Sequence, residues 1–143
     1  MPTRPTLEDL KRASQSELEA FYAHGKPLLV PRGKFRGVFL GPVDSRGARR
    51  PLNRLMYVSG FQLPRFGVDF DQGAWWFHLS TLKVGAFEAR ISRSRWRNTE
   101  TVALHYESSK LPGLVKRILY DEVKPLHPDL SLCIGGVNRE KGE

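Results

Sequence analysis

Phe66-Gly67-Val68-Asp69-Phe70-Asp71-Gln72-Gly73-Ala74-Trp75-Trp76-Phe77-His78-Leu79 decides the fold. On either side of Asp71-Gln72-Gly73, large apolar side chains recur at every second position, the period of a half-buried strand. Asp, Gln and Gly between two such runs mark a tight turn, because glycine accepts backbone angles that other residues resist. The stretch therefore predicts a hairpin of strands 65–71 and 74–80. One face carries Phe66, Val68, Phe70, Trp75, Phe77 and Leu79. The other carries Asp69, Asp71, Trp76 and His78.

The same pattern extends outward. Segments 33–41, 83–92, 95–107 and 131–137 are short, alternating and rich in aromatic or β-branched residues. Their apolar rows read Phe35, Gly37, Phe39; Phe87, Ala89, Ile91; Val102, Leu104, Tyr106; and Leu132, Ile134. The opposite row holds Lys34, Arg36, Glu88, Arg90, His105 and Glu107. Burying each large apolar side chain stabilises by about 1.5–3 kcal/mol, so this row sets the register. A sheet this long covers its apolar face by curling into an antiparallel barrel, which also removes free edges. Gly37 and Ala89 among the rings either leave room for a small ligand or make room for neighbouring side chains.

Ahead of the strands, residues 1–30 form a helical lead-in to the domain at 31–143. Thr6-Leu7-Glu8-Asp9 and Ser16-Glu17-Leu18-Glu19 read as helix starts, the second with the Glu that a capping box prefers. Leu18, Phe21 and Tyr22 make one apolar stripe, and Gly25 and Pro27 end the helix. Pro51 to Val58 reads equally as a helix or a buried strand. A further short helix is predicted over 113–120. Asp121-Glu122 reads as a turn cap, with an ion pair to Lys116 or Arg117 as an option.

Composition narrows the function. Of 143 residues, 23 are Lys or Arg and 15 are Asp or Glu, a net charge of +8. Between Lys26 and Arg97, fourteen basic residues face only Asp44, Asp69, Asp71 and Glu88. Such a field attracts anions or simply keeps a protein soluble. No apolar run approaches the roughly 18 residues of a membrane span. The N-terminal residues lack the apolar core of a secretory signal, so the expected compartment is the cytoplasm. Cys133 is the single cysteine, which excludes an internal disulfide framework and a cysteine-rich zinc site. It reads as an inert, partly buried thiol.

Gly33-Lys34-Phe35-Arg36-Gly37 resembles the Gly-x-Trp-x-Gly opening strand of bacterial lipocalin-like proteins of the GXWXG kind and their uncharacterised relatives. Phe35 stands at the tryptophan position. Asp121-Glu122-Val123-Lys124-Pro125-Leu126, followed by Leu132-Cys133-Ile134-Gly135-Gly136, is similar to the closing part of such domains, and the helical lead-in is similar too. The resemblance implies a calycin-type, lipocalin-like antiparallel barrel with a short N-terminal helical segment and an interior for an apolar molecule. It transfers no catalytic residue. The chain stops soon after Gly135-Gly136, so closure is expected either to be completed by the N-terminal segment or to leave an open barrel edge available to a second copy of the chain.

The first functional expectation is therefore non-enzymatic binding of an apolar or amphipathic small molecule, with an acidic head group as one option. Phe35, Phe39, Phe66, Phe70, Trp75, Phe77, Phe87 and Tyr106 are its pocket candidates. Arg36, Arg93 and Arg95 at the mouth are suited to meet an acid. The alternative is a nucleic-acid or acidic-partner module built on Arg90-Ile91-Ser92-Arg93-Ser94-Arg95-Trp96-Arg97. Here Arg93, Arg95 and Arg97 would bind phosphate, Ser92 and Ser94 would add contacts, and Trp96 would stack a base. Arg46, Arg49 and Arg50 form a second basic cluster. The bland reading is a basic hairpin tip whose tryptophan plugs a barrel end. A third expectation, a barrel enzyme using His78 or His105 as base, requires one of them to face a cavity. Asp69 and Asp71 read as a solvated strand end, or as a carboxylate pair. His24 and His127 receive no role. No metal-binding spacing occurs, and the sequence names no cofactor.

Overall fold

Thr6 starts the first helix, α1 (Leu7–Arg12), with a complete capping box. Its hydroxyl accepts from the Asp9 amide at 3.2 Å, and its own amide donates to the Asp9 carboxylate at 2.8 Å. Asp thus does here what Glu usually does. The second helix, α2 (Gln15–His24), is capped by Ser14 with Glu17, not by Ser16 with Glu19. Starting two residues earlier satisfies the same orphan amides and frees Glu19 for another partner. Gly25 closes α2 without a left-handed backbone, at φ −65°. Glycine keeps the contact with Lys124 easy there: a Cβ would stand 3.0 Å from the Lys124 side chain, tighter than usual. The structure, a computed structural model, describes residues 4–25, 29–41, 66–77 and 80–137. Arg46, Arg49, Arg50, the 51–58 segment, His78 and Leu79 lie outside the described residues.

The strands are β1 (Lys34–Arg36), β2 (Phe66–Asp69), β3 (Ala74–Phe77), β4 (Ser80–Val84), β5 (Glu88–Arg93), β6 (Glu100–His105), β7 (Leu119–His127) and β8 (Leu130–Val137). A short helix, α3 (Gly113–Ile118), precedes β7. The protein is mainly β, and every ladder among the described residues is antiparallel. The described strands form two four-stranded meanders, β1-β2-β3-β4 and β5-β6-β7-β8. Among the described residues no ladder joins the two sheets, so the expected closed barrel is not found. The turn at Asp71-Gln72-Gly73 forms as expected, with Gly73 at φ +59°. It also ties the sheets together, because the Phe87 amide donates to the Gly73 carbonyl at 2.8 Å. The expected strand 95–107 begins only at Glu100. Residues 94–99 form a loop closed by Ser94 N–H on Thr99 O at 2.9 Å.

Directly paired residues share a face, so the ladders test the predicted rows. Phe35 lies opposite Val68, Val68 opposite Trp75, and Phe66 opposite Phe77. Ala89 lies opposite Leu104, and Ile91 opposite Val102. These rows stand as read. The row breaks at β8. Cys133, not Leu132 or Ile134, continues the face of Val102 and Val123; Leu132 pairs with Lys124, and Ile134 with Glu122. The outer face of the second sheet is covered around β7, because Tyr22 of α2 lies against Glu122 there. Both faces bury side chains, and alternation no longer reports which way is in. Between the sheets, Val68, Phe87, Val102, Leu104, Tyr106 and Val123 form the core, with Phe70, Trp75 and Ala89 packed on it. Among the described residues no helix is long and apolar enough to cross a membrane.

Candidate functional site

Five of the eight aromatic candidates meet between the sheets. Phe35 stands edge-on to Phe70 with ring centres 5.7 Å apart, Phe70 to Phe87 at 5.9 Å, and Phe87 to Tyr106 at 6.2 Å. Trp75 joins them by donating its indole N–H to the Tyr106 hydroxyl at 2.7 Å. Phe66 faces Phe77 across the β2–β3 ladder, and its ring occupies the space that a side chain at Gly37 would take. The small residue there accommodates a neighbouring ring. Phe39 is half-buried after β1.

The aromatic row ends on a carboxylate. Tyr106 donates its hydroxyl proton in a short hydrogen bond to Asp121 Oδ2. Asp121 is no turn cap: it sits in β7, on the inner face, opposite Leu104 and Gly135. A side chain at Gly135 would collide with Asp121 Oδ1. Desolvation pushes the Asp121 carboxyl up to about 6, against the lowering effect of the Tyr106 hydrogen bond. Burial first, and then the Asp121 charge, hold the Tyr106 hydroxyl far above the usual tyrosine range. Among the described residues Oδ1 accepts no hydrogen bond. The arrangement is a donor chain from Trp75 through Tyr106 that spends one carboxylate oxygen and leaves the other over Gly135, an exposed position of β8.

The opposite face of the same strand carries a second polar cluster. Glu122 and Lys124 are both fully buried. Glu122 accepts from Tyr22 OH at 2.8 Å, Ser94 Oγ at 2.6 Å and the Arg95 amide at 2.7 Å. Lys124 Nζ donates to Gly25 O at 2.5 Å, to Thr99 Oγ1 at 2.8 Å and, in a short bond, to Glu100 O. Desolvation holds its ammonium below the usual lysine range. Each charge has partners on three sides, so this cluster anchors α2 and the 94–99 loop to the sheet.

The arginine-rich hairpin is engaged within the chain. Arg97 grips Glu19 through two bonds of 2.5 and 2.6 Å. Arg90 pairs with Glu88 at 2.5 Å, Arg93 bonds Asn98, and Arg95 lies 4.5 Å above the Tyr120 ring. Trp96 packs edge-on against Tyr120 at 5.1 Å, with a buried indole N–H that has no partner among the described residues. Ser94 is buried and spends its hydroxyl on Glu122, so it is not presented to a phosphate. Arg36 is exposed on the outer row of β1, turned from the aromatic interior.

His105 faces outward opposite Glu88, 3.9 Å from the Glu107 carboxylate, on the other side of the sheet from Asp121. Asp69 accepts from the Gln72 amide at 3.0 Å and pairs in register with Lys34, the role of a strand-end turn residue. Cys133 is exposed, not partly buried. Among the described residues no group of three His, Cys, Asp or Glu side chains suits a metal ion.

Compared with protein-family models, with curated proteins and with solved structures, the chain has no match. The class that the fold defines is a mainly β, antiparallel protein of two meander sheets with a helical lead-in. Asp121, Glu122 and Lys124 escaped the sequence reading because 119–127 shows no amphipathic alternation. The one available signal was β-compatible spacing of Leu119, Val123 and Tyr120 around the charges.

Proposed function

We propose that the protein binds a small apolar or amphipathic molecule between its two sheets and performs no chemistry on it. The observation that carries this is the aromatic row from Phe35 to Tyr106 ending on Asp121, whose Oδ1 has no hydrogen-bond partner among the described residues. A half-buried carboxylate at the end of an aromatic row, its pKa raised by desolvation to about 6 and its second oxygen over Gly135, is the kind of perturbed group that concentrates at functional sites. Its chemistry favours a ligand head that donates a hydrogen bond, an amine or an alcohol, over an acid. The finer fold reading is a calycin-type, lipocalin-like barrel. The eight strands among the described residues, antiparallel in two meanders, with Gly33-Lys34-Phe35-Arg36-Gly37 around the first, support it. The cytoplasm is the setting that a single exposed thiol fits. At the arginine hairpin, no observation favours nucleic-acid binding over this reading.

The test is thermal stability with octylamine, octanol and octanoate below their micellar concentrations. A ligand that binds only the folded state raises the midpoint in proportion to the logarithm of its concentration. Octylamine and octanol are expected to raise it, and Asp121→Asn to remove the preference for the amine. A midpoint that moves with octanoate alone would instead support an acidic ligand. No movement with any of the three refutes the reading.

A further inference from the structure

We propose that two copies of the chain associate through β8, edge to edge and antiparallel, to make one continuous sheet. β8 runs Leu130-Ser131-Leu132-Cys133-Ile134-Gly135-Gly136-Val137 and contains neither a charge nor a proline. It pairs with β7 on one side, and among the described residues no strand pairs with the other. Natural edges resist such pairing with charges or by being short. β5 exposes Glu88, Arg90 and Arg93, while β1 is only Lys34–Arg36 and exposes both basic residues. β8 has neither protection, and its central Cys133 is exposed.

Symmetry narrows the register. A two-fold axis relating antiparallel edges stands perpendicular to the sheet and keeps each face on its own side. Facing residues share a face, so their numbers must sum to an even value. Axes at Cys133 and at Ile134 both satisfy this and use most of the strand. The axis at Cys133 sets Leu132 against Ile134 and Ser131 against Gly135. The axis at Ile134 gives a single apolar pair, Ile134 against Ile134, and sets Leu132 against Gly136, whereas the axis at Cys133 gives two Leu132–Ile134 pairs. Apolar contact between facing residues selects the first. Cys133 then faces Cys133 of the other copy. Facing strand residues have Cα atoms about 4.5–5.5 Å apart, within the range that a disulfide spans.

The test is the solution mass of the full chain, with two variants and a crosslink. Wild type and Cys133→Ser are expected at twice 16.3 kDa at high concentration. Cys133→Lys sets like charges face to face and is expected at the single mass with an unchanged circular dichroism spectrum. Diamide is expected to join wild-type chains: two Cys133 thiols give one disulfide and two protons, and diamide takes up the two electrons and the protons as the hydrazine. Wild type at the single mass throughout, or Cys133→Lys still doubled, overturns the proposal. If Cys133→Lys fails to fold, amide exchange on wild type decides. Greater protection of the β8 peptide at high than at low concentration supports the dimer; equal protection overturns it. The outcome is independent of whether any ligand binds between the sheets.

Discussion

The Tyr22 hydroxyl donates to Glu122 Oε2 at 2.8 Å, joining the lead-in helix to β7 across a hundred residues of sequence. Thr101 Oγ1 lies 2.9 Å from the same hydroxyl but gives its own proton to the Val123 carbonyl at 3.0 Å. The Tyr22 proton is therefore committed to Glu122. Tyr22→Phe leaves the buried carboxylate one donor short while keeping the ring, at a cost of about 1–3 kcal/mol. Urea unfolding measures it. An unchanged midpoint would show that α2 is held by ring packing alone.

Lys124→Ala removes the cation that serves Gly25 O, Thr99 Oγ1 and Glu100 O, and opens a void beside Tyr22. Breaking one member of a buried charged cluster costs about 3–5 kcal/mol. Arg97→Ala, by contrast, breaks an ion pair with Glu19 that water reaches, and is expected to cost less than about 1 kcal/mol. Measuring both variants in the same denaturant series checks the ordering. An equal loss would mean that Lys124 is dispensable.

Asp121 makes stability depend on pH. Its folded-state carboxyl titrates at about 6 instead of 3.8. Below about pH 4 both folded and unfolded forms hold the proton and there is no penalty. Between pH 4 and 6 the unfolded chain releases its proton first, so stability falls as pH rises, then levels off. The full penalty is on the order of 3 kcal/mol. Asp121→Asn accepts from Tyr106 but cannot ionise. Its stability relative to wild type is expected to grow from pH 4 to pH 7. Parallel curves for the two proteins would remove the premise.

Tyr106→Phe strips a partner from both Trp75 Nε1 and Asp121 Oδ2. Leaving buried polar groups unpaired costs about 1–3 kcal/mol each. The double variant Tyr106→Phe, Asp121→Asn is expected to cost less than the sum of the single changes, because the pair shares one bond. A double-mutant cycle with no coupling would contradict the hydrogen bond.

Leu104→Ala empties a fully buried position between the sheets. Such truncations cost about 2–5 kcal/mol according to how far the cavity relaxes. A loss near zero would place Leu104 outside the common core.

Much of the first sheet was legible because Phe66 to Phe77 alternates cleanly around a turn whose glycine needs a positive φ. Alternation is a local property, and one polar face in water is enough to make it readable. The same logic found β6 and most of β5, and placed Phe35, Phe70, Phe87, Tyr106 and Trp75 together, but it read 83–92 as one strand where the chain ends β4 at Val84 and starts β5 of the other sheet at Glu88. It missed β7 entirely. Asp121, Glu122 and Lys124 look like loop residues until their partners are known, and those partners come from Tyr106 on one face and from Tyr22, Ser94, Gly25 and Thr99 on the other. It also put Leu132 and Ile134 on the wrong face, since α2 covers the outer face of the second sheet, where both residues lie in register with Lys124 and Glu122. The sequence by itself determined the β class, the turn at Gly73 and the aromatic interior, because these follow from backbone sterics and the burial of apolar area. Only the tertiary structure decided which charges lie inside. A buried charge is tolerated through hydrogen-bond partners distant in the chain, and a one-dimensional pattern carries no record of them.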